Sequence, residues 1–470
     1  MTQSNTTRTE KDTMGEMEVP TYAYWGASTQ RAVLNFPISS LRYPADFIHM
    51  LGRIKRAAAK TNTGLGLLDE LVASAIREAS TEVIDGLWDD HFVVDLFQTG
   101  SGTSTNTNAN EVIAMRAREL SAAGAMVHPN DHVNMAQSSN DVIPSASHLI
   151  AAQAIQEDLL PALQKAHATL SAKSDQFWDI IKTGRTHLQD ATPIRLGQEF
   201  AGYASQLHLG IERLQPHLAA LCEIALGGTA VGTGINAHED FARLTSAELA
   251  TELGLPVKET PHHFQAQGTL DTMLAASGAV RSIAVSLQKI ANDLRWLSSG
   301  PRAGLGELEL PTVQPGSSIM PGKVNPVIPE SVVQVVCQVI GNDAAVSAAA
   351  HGGFLELNTY WPVAAYNLHQ SITLLASATG NFEEQCLRGI QATTRGPNMV
   401  EQGLMMATGL TPAIGYEKAT SIAKAAAAQG VTIRELAKSE TDLTDEQLAV
   451  LLDPMRMTAP GVVEGGVGGG

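Results

Sequence analysis

Along "GTLDTMLAASGAVRSIAVSLQKIANDLRWLSSG" the apolar residues Met273, Ala276, Val280, Ile283, Leu287, Ile290, Leu294 and Leu297 follow alternating steps of three and four. Only a helix brings side chains at that spacing onto one face, and a repeat averaging 3.5 residues is the seam of a helix in a left-handed bundle. At 1.5 Å per residue, about 30 such residues make a rod of about 45 Å, longer than most globular helices. A rod with one apolar face needs others to cover it. The sequence offers three: residues 145–177, which Pro161 should kink or divide; the stretch from "PIRLGQEF" through "EIAL"; and the stretch after Pro329 through "ESVVQVVCQVIGNDAAVSAAA". Aromatics make up only 5% while Ala and Leu abound, which favours helix on helix. The expectation is an all-α fold, an elongated central helical bundle flanked by smaller N- and C-terminal domains, divided as 1–137, 138–394 and 395–470. The tail "APGVVEGGVGGG" reads as a flexible end, and Gly430 as the cap of the helix before it.

Charge narrows the partners. A net charge of -17 argues against nucleic acid or an anionic membrane surface. Local cations can still define one anion pocket. The N-terminal "MTQSNTTRTEKDTMGE" has no apolar core of the secretory kind, and no run of about 18 apolar residues is evident. Cys222, Cys337 and Cys386 form no C-x-x-C pair and read as buried thiols of a cytoplasmic protein.

Residues 299–326 interrupt the helices with five prolines and five glycines in 28 positions. Such a stretch cannot be helical, and its Leu305, Leu308, Leu310 and Ile319 favour a docked functional loop over a linker. Within it, "GSSIMPGKVNP" places a serine pair six residues before a lysine. Four further stretches are rich in small hydroxyls, amides and histidine: "TGSGTSTNTNANE", "HPNDHVN", "QSSND" and "GRTHLQD". Each alone is equally a set of turn and cap residues, with Ser138 or Asp141 capping the helix that follows. Together they suit a small dianion: Lys323 gives countercharge, neutral donors orient carboxylates, and His187 moves protons near neutral pH. "GSGTST" meets neither the dinucleotide-binding nor the P-loop pattern, and Pro129 disfavours the helix that would aim His128 and His132 at one metal. No nucleophile elbow is present. No metal or nucleotide cofactor is indicated.

"GSSIMPGKVNP" resembles the signature of the fumarase/aspartase superfamily, and "TGSGTSTNTNANEV", "HPNDHVNMAQSSND", "GRTHLQDATPIRLGQEF" and "GGTAVGTGIN" follow in the expected order. Within the superfamily the details are similar to class II fumarate hydratase. The resemblance implies a metal-free helical homotetramer that interconverts fumarate and (S)-malate, with each active site shared by three subunits. It implies Ser317 as the base for the C3 proton, with Lys323 as its electrostatic support. His187, polarised by Glu330, would handle the water or hydroxyl. Ser101, Gly102, Thr103, Ser138, Ser139, Asn140, Thr186, Ser318, Lys323, Val324 and Asn325 would bind substrate. His128, Pro129, Asn130 and Asp131 match a secondary dicarboxylate site. Aspartate ammonia-lyase is the rival, favoured slightly by "VNPVIPE" and "SGPRAGL"; "GSGTST", "QSSND" and "GGTA" are the fumarase forms. A helical structural protein that merely retains the fold is the non-enzymatic alternative. Thr107 and Gln265 depart from the family's usual Met and Glu.

Overall fold

The computed structural model describes residues 6–121, 124 and 126–461, so the glycine-rich stretch 462–470 lies outside the described residues. The expected all-α architecture is observed. After a hairpin of β1 (Thr7–Asp12) and β2 (Gly15–Pro20) come helices α1 (Ala27–Asn35), α2 (Ala45–Gly64), α3 (Glu70–Ile84) and α4 (Thr103–Leu120). The long helices are α5 (Ser139–Ala154) and α6 (Leu160–Gln176), α7 (Leu196–Leu221), α10 (Asp271–Leu297), α11 (Val327–Ala350) and α12 (Trp361–Gln385). Hairpin strands β3 (Ile181–Thr186) and β4 (Gln189–Arg195) precede α7, and α8 (Phe241–Leu253) and α9 (His263–Gly268) precede α10. Short helices α13 (Arg395–Val400), α14 (Thr411–Ile414), α15 (Tyr416–Gln429), α16 (Ile433–Glu440) and α17 (Asp445–Leu451) close the chain.

All eight seam residues of α10 are buried, as the spacing requires. Pro161 lacks the N–H that would bond Glu157, and the helix resolves this with a π turn at Ile155–Leu159 between α5 and α6. Helix α12 has no counterpart in the sequence reading. Its buried face of Ala364, Ala365, Leu368, Ile372 and Leu375 repeats at helical steps but is built partly of alanine.

Two compact units divide the chain, and the boundaries fall inside helices α6, α7, α10, α11 and α12. One unit holds Met1–Pro161, Gly210–Ala284 and Val335–Ser377. There α2 packs on α3, α5 and α8 through the fully buried Phe47, Met50, Leu51 and Ile54. Arg53 and Arg56 of α2 pair with Glu252 of α8. The other unit holds Ala162–Leu209, Val285–Gln334 and Ala378–Gly470. Its C-terminal helices share a core of Leu410, Ile422, Ala426, Ile433, Leu436, Leu448 and Leu452, and Gly430 at φ 66° caps α15 as expected.

Three sequence expectations need correction. Ile319 is 84% exposed, because residues 317–322 stand at the tip of their loop; Leu308 is the docked residue there. Cys337 is exposed, lying on a face of α11 that its own chain leaves uncovered, whereas Cys222 and Cys386 are buried. That same helix, Val327–Ala350, is long and apolar enough to cross a membrane by length and composition. Its apolar residues are interspersed with Gln and Ser, which hid the run; core helices of globular proteins pass the same test.

Candidate active site

The first unit contains a polar cavity of about 380 Å³ lined by Thr103, Asn106, Asn110, Asn130, Asn134, Gln137, Ser138, Ser139 and Thr229. Two helix starts build it. Gly102, at φ 73°, precedes α4 in the left-handed conformation, and a Cβ there would lie 2.9 Å from two carbons of Ile143. Gly100 is equally constrained, since a Cβ would lie 1.8 Å from the Thr359 carbonyl oxygen. These glycines let the hydroxyls crowd together. Ser101 Oγ is 2.8 Å from Thr103 Oγ1, which is 2.8 Å from Ser139 Oγ.

Ser138 caps α5 and Asp141 completes a capping box, so both candidate caps are used. Such caps contribute about 1 kcal/mol each. Asp141 does more, because its buried carboxylate also accepts from the backbone N–H groups of Gly227 (3.0 Å) and Thr229 (2.9 Å). The "GGTAVGTGIN" loop is thereby fastened to the start of α5. Asn140 extends the same tie, donating to the Ala230 carbonyl at 2.8 Å. Burial pushes the Asp141 pKa up, and the three backbone donors and Lys55 oppose that shift. We assign it the ionised form on the strength of those donors.

The segment 129–133, read as non-helical, is one turn of π-helix. Pro129 sits at its first position, where a missing N–H costs nothing. His128 caps the turn, its Nδ1 accepting from Asn130 N (3.3 Å) and Asp131 N (3.1 Å), and it lies 3.2 Å from the Asp131 carboxylate. Among these four residues, Asn130 lines the 380 Å³ cavity. No cluster of three or more metal-ligating side chains occurs among the described residues.

The second unit carries the other group of expected residues. β3 and β4 pair with Thr186 opposite Gln189, leaving His187 and Leu188 as a two-residue turn at φ 55° and 59°. Both central residues of such a turn need positive φ, a conformation usually supplied by Asn or Gly. A histidine and a leucine held there, both exposed, mark a strained and displayed tip. Its base is rigid. Lys182, 2% exposed, lies 3.0 Å from both Glu199 and Glu307, and Arg185 donates to Glu307 at 2.7 Å.

The loop "GSSIMPGKVNP" is closed by its own backbone. Gly316 N donates to the Lys323 carbonyl at 2.8 Å, and Asn325 Nδ2 returns to the Gly316 carbonyl at 2.6 Å. A Cβ on Gly316 would lie 2.6 Å from that Lys323 oxygen, so the closure needs glycine. Ser317 Oγ accepts from Ile319 N (3.2 Å) and Met320 N (2.9 Å). Lys323 Nζ donates to Asn325 Oδ1 at 2.6 Å. Ser318, Lys323 and Val324 are exposed. Glu330, in the first turn of α11, lies 3.9 Å from Arg295; among the described residues no hydrogen bond joins it to His187 within one chain.

The expected residues therefore form two constellations: Thr103, Ser138 and Ser139 lining one cavity, with Ser101, Gly102 and Asn140 next to them in the chain, and Ser317, Lys323 and Asn325 on one loop. The sequence reading missed Asn106, Asn110, Asn134, Gln137 and Thr229. A helical signal for two of them was available, since Thr103, Asn106 and Asn110 are spaced three and four along α4.

Comparison with known proteins places this architecture. Residues 15–341 match the family described as "Lyase", and residues 406–459 match "Fumarase C C-terminus". The chain is thus a lyase by family. It is 51% identical over 462 residues to "Fumarate hydratase class II" of Halobacterium salinarum, covering 97% of this chain and 98% of that one. It is 48% identical over 457 residues to the protein of that name from Bordetella parapertussis, covering 96% and 99%. The crystal structure of class II fumarase from Schistosoma mansoni superposes with a TM-score of 0.93 at 38% identity, covering 96% of this chain and 99% of that one. The chain belongs to the class II fumarate hydratase family.

Proposed function

We propose that the protein catalyses the reversible hydration of fumarate to (S)-malate, a carbon–oxygen lyase reaction, with Ser317 as the base. The observation that carries the reading is near-complete coverage, at about half identity, by proteins named for that activity. Ser317 then explains the loop. A free hydroxyl is a poor base, but Ser317 Oγ already accepts two backbone N–H bonds, and an alkoxide there would be held by both. Lys323 adds positive charge six residues on. Removal of the C3 proton by that alkoxide leaves a carbanion whose charge spreads into the adjacent carboxylate. His187 then gives a proton to the C2 hydroxyl, which departs as water; hydration runs these steps in reverse. The exposed tip at His187–Leu188 supports this division of labour, because it presents an imidazole away from its rigid base.

Ser101, Gly102, Thr103, Ser138, Ser139, Asn140, Thr186, Ser318, Val324 and Asn325 bind the substrate in this reading, with the His128–Asp131 turn as a secondary dicarboxylate site. The complete site is assembled from three chains of a homotetramer in this reading, with His187 polarised by Glu330. The exposed Cys337, Ile340, Ala344 and Ala348 of α11 support such an assembly. The protein is cytoplasmic in this reading, and the chain from 395 onward is a small C-terminal domain, a division supported by the buried cluster that runs from Val400 to Leu452. The test is fumarate formed from malate against fumarate formed from aspartate. Malate turnover alone is expected; ammonia release from aspartate would assign the rival chemistry. Activity persisting in a verified monomer would contradict the shared site.

A further inference from the structure

The reaction above uses no residue of α2, yet α2 sends one cation to the wall of the cavity. Lys55 is completely buried, and its Nζ donates to Asn134 Oδ1 at 2.8 Å and Gln137 Oε1 at 3.0 Å. Both acceptors line the cavity. Asn134 Oδ1 also accepts from Asn106 Nδ2 at 3.2 Å, and the remaining amide donors of Asn134 and Gln137 bond backbone carbonyls. The ammonium holds the oxygen end of two wall amides whose nitrogen ends those carbonyls hold. A buried lysine left on neutral amide partners is costly, and fold economy alone would replace it with an apolar residue.

We propose that Lys55 is a positioning residue that sets the affinity of this cavity for a dicarboxylate, by orienting Asn134 and Gln137 and by cancelling the buried charge of Asp141. The inference rests on the reading of the cavity as a dicarboxylate site. With Lys55 charged, Lys55 and the buried Asp141 together add no net charge behind the wall. With Lys55 neutral, Asp141 becomes an uncompensated buried anion against which a dianion must bind. Other charged or titratable groups on the surrounding elements have partners of their own, among them His148 of α5, 3.1 Å from the Glu223 carbonyl, and His132, whose Nδ1 accepts from His128 N. On α8, Glu248 pairs with Lys60, and Glu252 with Arg53 and Arg56. On α3, Glu82 pairs with Arg116, and on α4, Glu111 is held by the N–H groups of Gly26, Ser28 and Thr29. On the 129–133 turn, His128 faces Asp131, and at the start of α2, Asp46 faces His369. Asp141 is the charge that acts on Lys55, and desolvation outweighs it, lowering the lysine pKa to about 7.

The test is succinate binding to the intact wild-type protein and to Lys55→Met, by calorimetry from about pH 6 to about pH 9. A dianion that prefers the ammonium form raises its pKa on binding, so wild-type affinity should be level below about pH 7 and then fall by up to tenfold per unit. Lys55→Met should bind at least about tenfold more weakly at the acid end and lose that slope. Its KM for fumarate should rise while kcat stays within about threefold, a split that general unfolding does not produce. A Lys55→Met protein with wild-type affinity and slope would overturn the proposal. Should that variant fail to fold, ¹⁵N-lysine spectra of the wild type decide: the Lys55 Nζ titration must move upward on saturation with succinate, and an unmoved titration refutes the role. Absence of succinate binding by wild type, together with intact malate turnover, would overturn the proposal alone; absence of both would also overturn the reading of the cavity.

Discussion

Replacing Glu307 tests whether the hairpin beneath His187 is held as described. Glu307 is 3% exposed, and its carboxylate accepts from Arg185 at 2.7 Å while lying 3.0 Å from Lys182 Nζ. In Glu307→Ala, Lys182 keeps only Glu199 and Arg185 keeps only a weak 4.0 Å approach to Asp190. Breaking a buried pair by removing one partner costs about 3–5 kcal/mol, since the other charge stays buried. Glu307→Gln preserves an acceptor of the same shape and should cost about half as much, in line with one charged hydrogen bond made neutral. Urea unfolding at one fixed protein concentration, followed by circular dichroism, measures both. The left-handed conformations at His187 and Leu188 persist only where their surroundings enforce them, so kcat should fall in the same order. A Glu307→Ala protein within about 1 kcal/mol of wild type would refute the argument.

Two further outcomes are expected. Gly102→Ala forces a side chain into positive φ and against Ile143, and should cost about 1–3 kcal/mol in thermal unfolding while raising KM, because Ser101 and Thr103 move with it. Arg116 grips the Glu82 carboxylate at 2.6 and 2.8 Å and holds its pKa below the usual value. A carboxylate whose folded pKa is depressed adds stability above its unfolded pKa and loses it as pH falls through the folded one. Glu82→Gln should therefore be less stable by about 1 kcal/mol at neutral pH, with the difference vanishing in acid unfolding below the ordinary glutamate range.

The long helices were legible because a 3.5-residue seam of large side chains, as at Met273 to Leu297, has no other solution. Helix α12 was not, because alanines at 364 and 365 carry little hydrophobic signal among Asn367, His369 and Gln370. The loop around Ser317 was legible as a loop from its prolines, but not its inner geometry: two N–H groups meeting one hydroxyl depend on tertiary backbone torsions. Lys55 was invisible for a plainer reason. In "GRIKRAAAK" it stands among Arg53, Arg56 and Lys60, which form surface ion pairs, and only packing of α2 distinguishes the buried cation from its neighbours. Asn106 and Asn110 read as turn formers, and only their place on α4 aligns them with Thr103.

The division of labour between Ser317 and His187 is best tested by exchange at C3. With malate in deuterated water, the wild type should both form fumarate and exchange the C3 proton. His187→Asn should lose turnover yet keep exchange, since proton removal precedes departure of the hydroxyl. Ser317→Ala should lose both, each by at least about a hundredfold, while its circular dichroism stays that of the wild type. Retention of C3 exchange by Ser317→Ala would contradict the account.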